Sequence, residues 1–165
     1  MKLLSKDINT SDAETKDTCN NDKYHSPEQA LKILFGYDSF RTGQEEIVDN
    51  ILLGRDVCGI MPTGAGKSIC YQLPALLLPG ITIVVSPLIS LMIDQVKALN
   101  EAGVHAAYIN SALTENQITK ALYNAMCGRY KIVYVAPERL ETNRFLEFVL
   151  NADISMITID EAHCI

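Results

Sequence analysis

Two short clusters of residues carry the chemistry legible in this chain. The first is Met61-Pro62-Thr63-Gly64-Ala65-Gly66-Lys67-Ser68, which follows a short apolar run and precedes a helical pattern. A glycine-rich turn between a strand and a helix is the setting in which backbone N–H groups turn inward around phosphates. The helix start directs its positive end at the same anion. Thr63, Gly64, Ala65 and Gly66 would supply the cradle. Lys67 is spaced to reach the β- and γ-phosphates, and the Ser68 hydroxyl to ligate Mg²⁺. Met61 stands where the full phosphate-loop pattern begins with glycine, but Gly-x-Gly-Lys-Ser is intact.

The second cluster is Asp160-Glu161-Ala162-His163, at the end of the apolar run Ile154–Ile159. Ligands of parallel α/β sheets bind at the C-terminal ends of strands. Asp160 would hold Mg²⁺ through water, and Glu161 would polarise an attacking water. Taken alone, the pair reads as readily as two surface acids. A phosphate loop in the same chain favours the catalytic reading, with Lys67, Asp160 and Glu161 as its catalytic residues.

These residues need a scaffold, and the pattern supplies one. Ser26-Pro27-Glu28 opens a helix that Phe35-Gly36 ends, and a second helix runs from Gln44 to Leu53. Apolar runs at Asp56–Met61, Thr82–Val85, Ala106–Ile109, Lys131–Val135 and Ile154–Ile159 read as strands. Between them, helices are expected from Ser68 to Leu77, Leu88 to Ala102, Thr114 to Met126 and Glu138 to Leu150. Continuous apolar strands alternating with helices predict an α/β fold, a parallel sheet with helices on both faces.

Composition sets the outer limits. The chain has 165 residues, 48% of them hydrophobic, one domain's worth with a real core. With 14 Lys+Arg against 20 Asp+Glu its net charge is −6. That excludes a simple basic nucleic-acid glue but not an enzyme with a local nucleic-acid site. The five cysteines, at 19, 58, 70, 127 and 164, form no CxxC pair. No zinc site or disulfide framework is expected, and a reducing cytoplasmic setting is. Cys58, Cys70 and Cys164 are expected as small core residues. No apolar run approaches the roughly 18 residues of a membrane span, and no secretory signal follows Met1. Residues 1–23 read as a disordered polar tail, and 24–165 as the structured domain.

The motifs together resemble superfamily 2 helicases and, within them, the RecQ DNA helicases. Beyond the phosphate loop, the resemblance rests on Phe35-Gly36-Tyr37-Asp38-Ser39-Phe40-Arg41-Thr42-Gly43-Gln44, on Val85-Ser86-Pro87-Leu88-Ile89-Ser90-Leu91, on Tyr134-Val135-Ala136-Pro137-Glu138-Arg139-Leu140 and on Asp160-Glu161-Ala162-His163-Cys164-Ile165. One departure is Ala65, where the family commonly has a third glycine. The resemblance implies a RecA-like P-loop NTPase lobe that uses ATP and Mg²⁺, without zinc in this segment. It implies an ATP-dependent 3′–5′ DNA helicase of recombination and repair, acting on single-stranded or forked DNA.

Residue roles carry over by position. Tyr37 would stack on adenine, with Arg41 and Gln44 against the base. The Gln44 amide offers the donor and acceptor that adenine's N6/N7 edge requires. Arg41 would otherwise be a surface charge. His163 would couple ATP state to DNA. Ser86, Pro87, Asn110, Ser111 and Arg139 fall where the family's DNA-facing loops lie. Ser and Asn bind phosphates without positive charge, although capping is their commoner use. Arg139 would touch DNA or pair with Glu138.

The resemblance also implies parts beyond 165 residues: a second RecA-like lobe with an arginine finger, a four-cysteine zinc module and a winged helix. One strand of the lobe itself, lying between the phosphate-loop strand and the Asp-Glu strand, would follow Asp-Glu-Ala-His in sequence. The chain is therefore expected to be a C-terminally truncated lobe, inactive by itself. Other readings are a nucleotide-binding module without turnover, an RNA helicase of the DEAD-box type, or an unrelated P-loop kinase. His163 in place of a final Asp, the Ser-Pro-Leu-Ile-Ser-Leu segment and the Gln44-to-Lys67 spacing speak against the RNA helicase, and a kinase would need neither Asp-Glu-Ala-His nor the Phe35–Gln44 segment.

Overall fold

A computed structural model describes residues 26–162. The expected tail, His163 and Cys164 lie outside them. Chain order is α1 (Pro27–Phe35), α2 (Gln44–Leu52), α3 (Lys67–Leu77), β1 (Ile81–Val85), α4 (Ile89–Glu101), β2 (Ala106–Ile109), α5 (Glu115–Met126), β3 (Ile132–Val135), α6 (Asn143–Asn151) and β4 (Ile154–Ile159). Local signals explain the helix ends. Ser26 caps α1 by accepting from the Gln29 N–H at 3.3 Å. Thr114 and Gln117 form a reciprocal capping box at α5.

The four strands form one parallel sheet in the order β2-β3-β1-β4. Register aligns their C-terminal ends: Val85 of β1 lies opposite Val135 of β3 and Ile159 of β4, and Ile109 of β2 opposite Val135. The residues that follow, Ser86, Asn110, Ala136 and Asp160, therefore emerge side by side along one edge. Alternate strand residues bury against opposite layers. Val84, Ile132 and Tyr134 pack with Tyr71, Met92 and Val96 from α3 and α4. Ile83, Val85 and Val133 pack with Ile118, Leu122, Phe145 and Phe148 from α5 and α6. A third cluster joins α1 and α2 to the outer side of α3 through Leu31, Val48 and Leu73. The expected parallel sheet with helices on both faces is the observed fold. Among the described residues no helix is long and apolar enough to cross a membrane.

Two expected elements differ. Residues 138–150 do not form one helix: Pro137–Arg139 make a single 3₁₀ turn, and α6 starts only at Asn143. More consequentially, Asp56–Met61 forms no strand. Its residues pair with none of the four strands, and Val57, Cys58 and Ile60 are exposed, so Cys58 is not the core residue expected. The outermost strand, β4, pairs only with β1 and leaves Ile157 and Ile159 more than half exposed. An apolar strand needs a neighbour on each side to satisfy its N–H and C=O groups, and the described residues offer none there. An open β4 edge beside exposed isoleucines is a template for pairing with another chain. Self-association that grows with concentration is expected by light scattering. A strictly monomeric chain at high concentration would contradict that expectation.

Candidate nucleotide site

The phosphate loop turns as its glycines allow. Gly64 and Gly66 have φ of +80° and +81°, a region L side chains rarely adopt. A Cβ on Gly66 would also come within 2.6 Å of the Gln44 amide nitrogen. No atom lies within 4 Å of a Cβ built on Gly64, so the mouth of the loop is open. Helix α3 starts directly at Lys67, with no acid in its first turn and no side chain capping it. Its first N–H groups are left to point at an anion.

Helix α2 fixes this loop from behind. The Gln44 side chain, 4% exposed, donates to the Ala65 and Gly66 carbonyls at 3.2 and 3.0 Å, while its oxygen accepts from the Arg41 N–H at 2.8 Å. Arg41 donates from Nη1 to the Gly64 carbonyl at 2.8 Å. Gln44, the expected base reader, thus has its amide engaged with the loop carbonyls. Gln44→Ala strips partners from two loop carbonyls. It is expected to weaken ATP and GTP binding about equally, by roughly tenfold. A loss confined to ATP would put the amide on the base instead. Tyr37 stands exposed before this helix. A hollow of about 650 Å³ opens between Arg41, Glu46 and Ile47 on one side and Val57, Ile60 and Met61 on the other. It borders Ala65 but none of Lys67, Ser68 or Asp160.

Sheet register brings the second cluster to the first. The Asp160 N–H donates to the Val85 carbonyl at 2.8 Å, continuing the β1–β4 ladder by one residue. The chain then turns through Glu161, whose φ of +51° is the one positive value at a non-glycine among the described residues. Such a conformation is sparsely populated and concentrates at functional sites. The turn lets the Glu161 N–H donate to Asp160 Oδ1 at 3.0 Å and sets Glu161 Oε1 3.7 Å from Lys67 Nζ. Burial, then the adjacent Glu161 charge, push the Asp160 carboxyl above its ordinary range, while the Glu161 N–H and Lys67 oppose the shift. Lys67, Ser68, Asp160 and Glu161, more than 90 residues apart in sequence, thus share one site.

The expected DNA-facing residues follow β1, β2 and β3 along the same sheet edge. Ser86 and Asn110 are at most 1% exposed, and neither Ser86 Oγ nor Asn110 Nδ2 has a partner; Asn110 Oδ1 accepts from the Ala112 N–H at 3.0 Å. Pro87 is half-buried and Ser111 exposed. Arg139 pairs with Glu115, at 3.8 Å, rather than with Glu138, and Glu115 also binds Arg144 at 2.8 Å. Arg139 Nε is buried without a partner. Buried polar atoms left unpaired call for a ligand or an explanation.

Sequence reasoning missed a polar cluster under the site, Tyr71, Gln72 and Tyr134, all at most 5% exposed. Spacing held a signal: Tyr71 and Gln72 lie three and four residues beyond Ser68, on its face of α3.

Similarity to known proteins agrees with this geometry. The DEAD/DEAH box helicase family matches residues 41–165. The chain is 49% identical over 142 residues to the ATP-dependent DNA helicase RecQ of Bacillus subtilis, covering 86% of this chain and 24% of that protein. It is 48% identical over 135 residues to RecQ of Pasteurella multocida, covering 82% of this chain and 21% of that protein. The chain therefore spans less than a quarter of the length of these two relatives. Among solved structures, the DUF1998 helicase MrfA, bound to DNA and AMPPNP, superposes with a TM-score of 0.68 at 22% identity, over 84% of this chain and 21% of that one. That likeness shows the fold, a RecA-like lobe. A phosphate loop and an Asp-Glu turn meeting on such a sheet, together with these matches, establish that the chain belongs to the DEAD/DEAH box helicase family and is similar to RecQ helicases over most of its length.

Proposed function

We propose that residues 24–165 are the first RecA-like lobe of a 3′–5′ DNA helicase that couples Mg·ATP hydrolysis to strand separation in recombination and repair. The carrying observation is the approach of Lys67 to Glu161 at 3.7 Å beside the buried Asp160. The residue read as phosphate-binding, Lys67, and the residue read as water-activating, Glu161, are side by side.

The residues fit a bound Mg²⁺. Magnesium takes oxygen ligands, commonly one or two carboxylates plus substrate phosphates and water. Asp160 and Ser68 supply that set. Among the described residues, no group of three or more His, Cys, Asp or Glu side chains offers a dedicated cage. When bound, Mg²⁺ would neutralise charge on the β- and γ-phosphate oxygens.

The protein's own residues do the rest. The backbone of Thr63–Ser68 cradles the β-phosphate. Lys67 leaves Glu161 for the phosphates, and Glu161 then polarises the attacking water. Tyr37 and Arg41 hold the adenine, with Gln44 fixing the loop that carries the phosphates. His163, placed directly after this turn in sequence, couples the nucleotide to DNA. Ser86, Pro87, Asn110, Ser111 and Arg139 form the DNA-facing edge, where neutral donors bind phosphates in a chain of net charge −6.

Steady-state ATPase with and without single-stranded DNA is the test. It is best run on a chimera in which this lobe replaces the matching segment of B. subtilis RecQ. DNA-stimulated turnover is expected there, and binding with weak or no turnover in residues 1–165 alone. A chimera that binds ATP but never hydrolyses it would make the lobe a nucleotide-binding module. Stimulation by RNA alone would make it an RNA helicase.

A further inference from the structure

Two arginines close on one carboxylate where β2 and β3 end. Arg144, in the first turn of α6, donates from Nη1 to the Glu115 carboxylate at 2.8 Å and to the Glu115 carbonyl at 3.2 Å. Arg139 Nη1 approaches the same carboxylate at 3.8 Å, beyond hydrogen-bond reach. Its Nε is buried without a partner. Arg139, Arg144 and Glu115 line one small hollow with Ile109 and Thr142. Ile109 leads directly into Asn110, which is fully buried with its Nδ2 unpaired.

The three side chains are unequally held. Arg139 is 20% exposed and poorly served, whereas Glu115 is 70% exposed. Exposed ion pairs contribute little to a fold, so this carboxylate leaves its partners at small cost. A carboxylate also has the outline of a phosphodiester: two oxygens that share one negative charge. Guanidinium forks match either group, and a phosphate shared by two forks would satisfy the arginine that Glu115 reaches only at long range.

We propose that Arg139 and Arg144 form a clamp for one backbone phosphate of single-stranded DNA, and that Glu115 occupies this clamp until the strand displaces it. The proposal rests on the DNA-facing reading of the sheet edge and adds Glu115 and Arg144 to it. Glu115 thereby sets a threshold: a strand binds here only by outcompeting an internal anion.

The test is fluorescence anisotropy of a labelled oligothymidylate across a salt series, with residues 1–165 as wild type, Glu115→Gln, Arg144→Gln and the double variant. Glu115→Gln is expected to tighten binding about two- to fivefold, the worth of an exposed pair that no longer competes. Arg144→Gln should weaken binding and lower the slope of log affinity against log salt by about 0.7, one single-strand phosphate. The gain from Glu115→Gln should largely disappear when Arg144 is already glutamine. Plain loss of a negative charge would instead give the same gain in both backgrounds. An equal gain in both, or no gain in either, overturns the clamp. Should Glu115→Gln fail to fold, an unchanged salt slope in Arg144→Gln overturns it and a lowered one supports it. Binding by Glu115→Gln but not by wild type supports it in its strongest form. A chain that binds no strand in any of the four forms overturns the DNA-facing edge itself, a different failure.

Discussion

Lys67→Ala is expected to weaken Mg·ATP binding about 10- to 150-fold, the worth of a charge-assisted phosphate contact of roughly 1.5–3 kcal/mol. The structure makes this a clean test, because Lys67 does little for the fold. Its contact with Glu161 is long, at 3.7 Å, and its side chain is 38% exposed. Pairs of that kind contribute about 0–1 kcal/mol. Denaturant unfolding of the variant should therefore stay close to wild type while a fluorescent ATP titration shifts. Unchanged affinity would remove the phosphate loop from the account. Lost affinity with lost folding would make Lys67 a structural residue.

Glu161→Gln is expected to separate binding from chemistry. The amide keeps the shape of the carboxylate but loses its capacity to take a proton, and general-base residues are typically worth about 10²–10⁴ in rate. In the RecQ chimera, single-turnover hydrolysis should fall by that factor while Mg·ATP affinity is retained. Affinity should even rise modestly, since Lys67 no longer has a negative partner to leave. Turnover at the wild-type rate would take the water-polarising role from Glu161. Binding lost together with turnover would show that the positive-φ turn at Glu161, rather than its charge, holds the site together.

Local signals in the sequence predicted most of what positions these residues. Ser26 and Thr114 start helices because a hydroxyl before an open N–H is a local arrangement. The central strands at Ile81 and Ile132 announce themselves as continuous apolar runs because both of their faces are covered. The phosphate loop and the Asp-Glu turn are contiguous motifs and read directly. What was not legible depends on distant partners. Asp56–Met61 has a strand's composition, but a strand exists only with a neighbour, and no neighbour for it lies among the described residues. Gln44 has the donor and acceptor adenine needs, but its contacts with the loop carbonyls 21 and 22 residues away carry no local signal. Arg139 meets Glu115 rather than adjacent Glu138 because the 3₁₀ turn at Pro137 points it toward the start of α5. The Tyr71–Tyr134 contact joins residues 63 apart; the spacing of Tyr71 from Ser68 hints at its side of α3, but nothing local marks Tyr134 as its partner.

The central claim is that a nucleoside triphosphate sits on the turn between Met61 and the first residues of α3. Amide chemical-shift mapping of the isotopically labelled chain tests it most directly. As a non-hydrolysable ATP analogue is added with Mg²⁺, the amides of Gly64, Ala65, Gly66, Lys67 and Ser68 should move farthest and saturate together. Asp160 and Glu161 should follow only when Mg²⁺ is present. Amides of Gly64–Ser68 that stay in place, or shifts that saturate at another surface, would contradict the account.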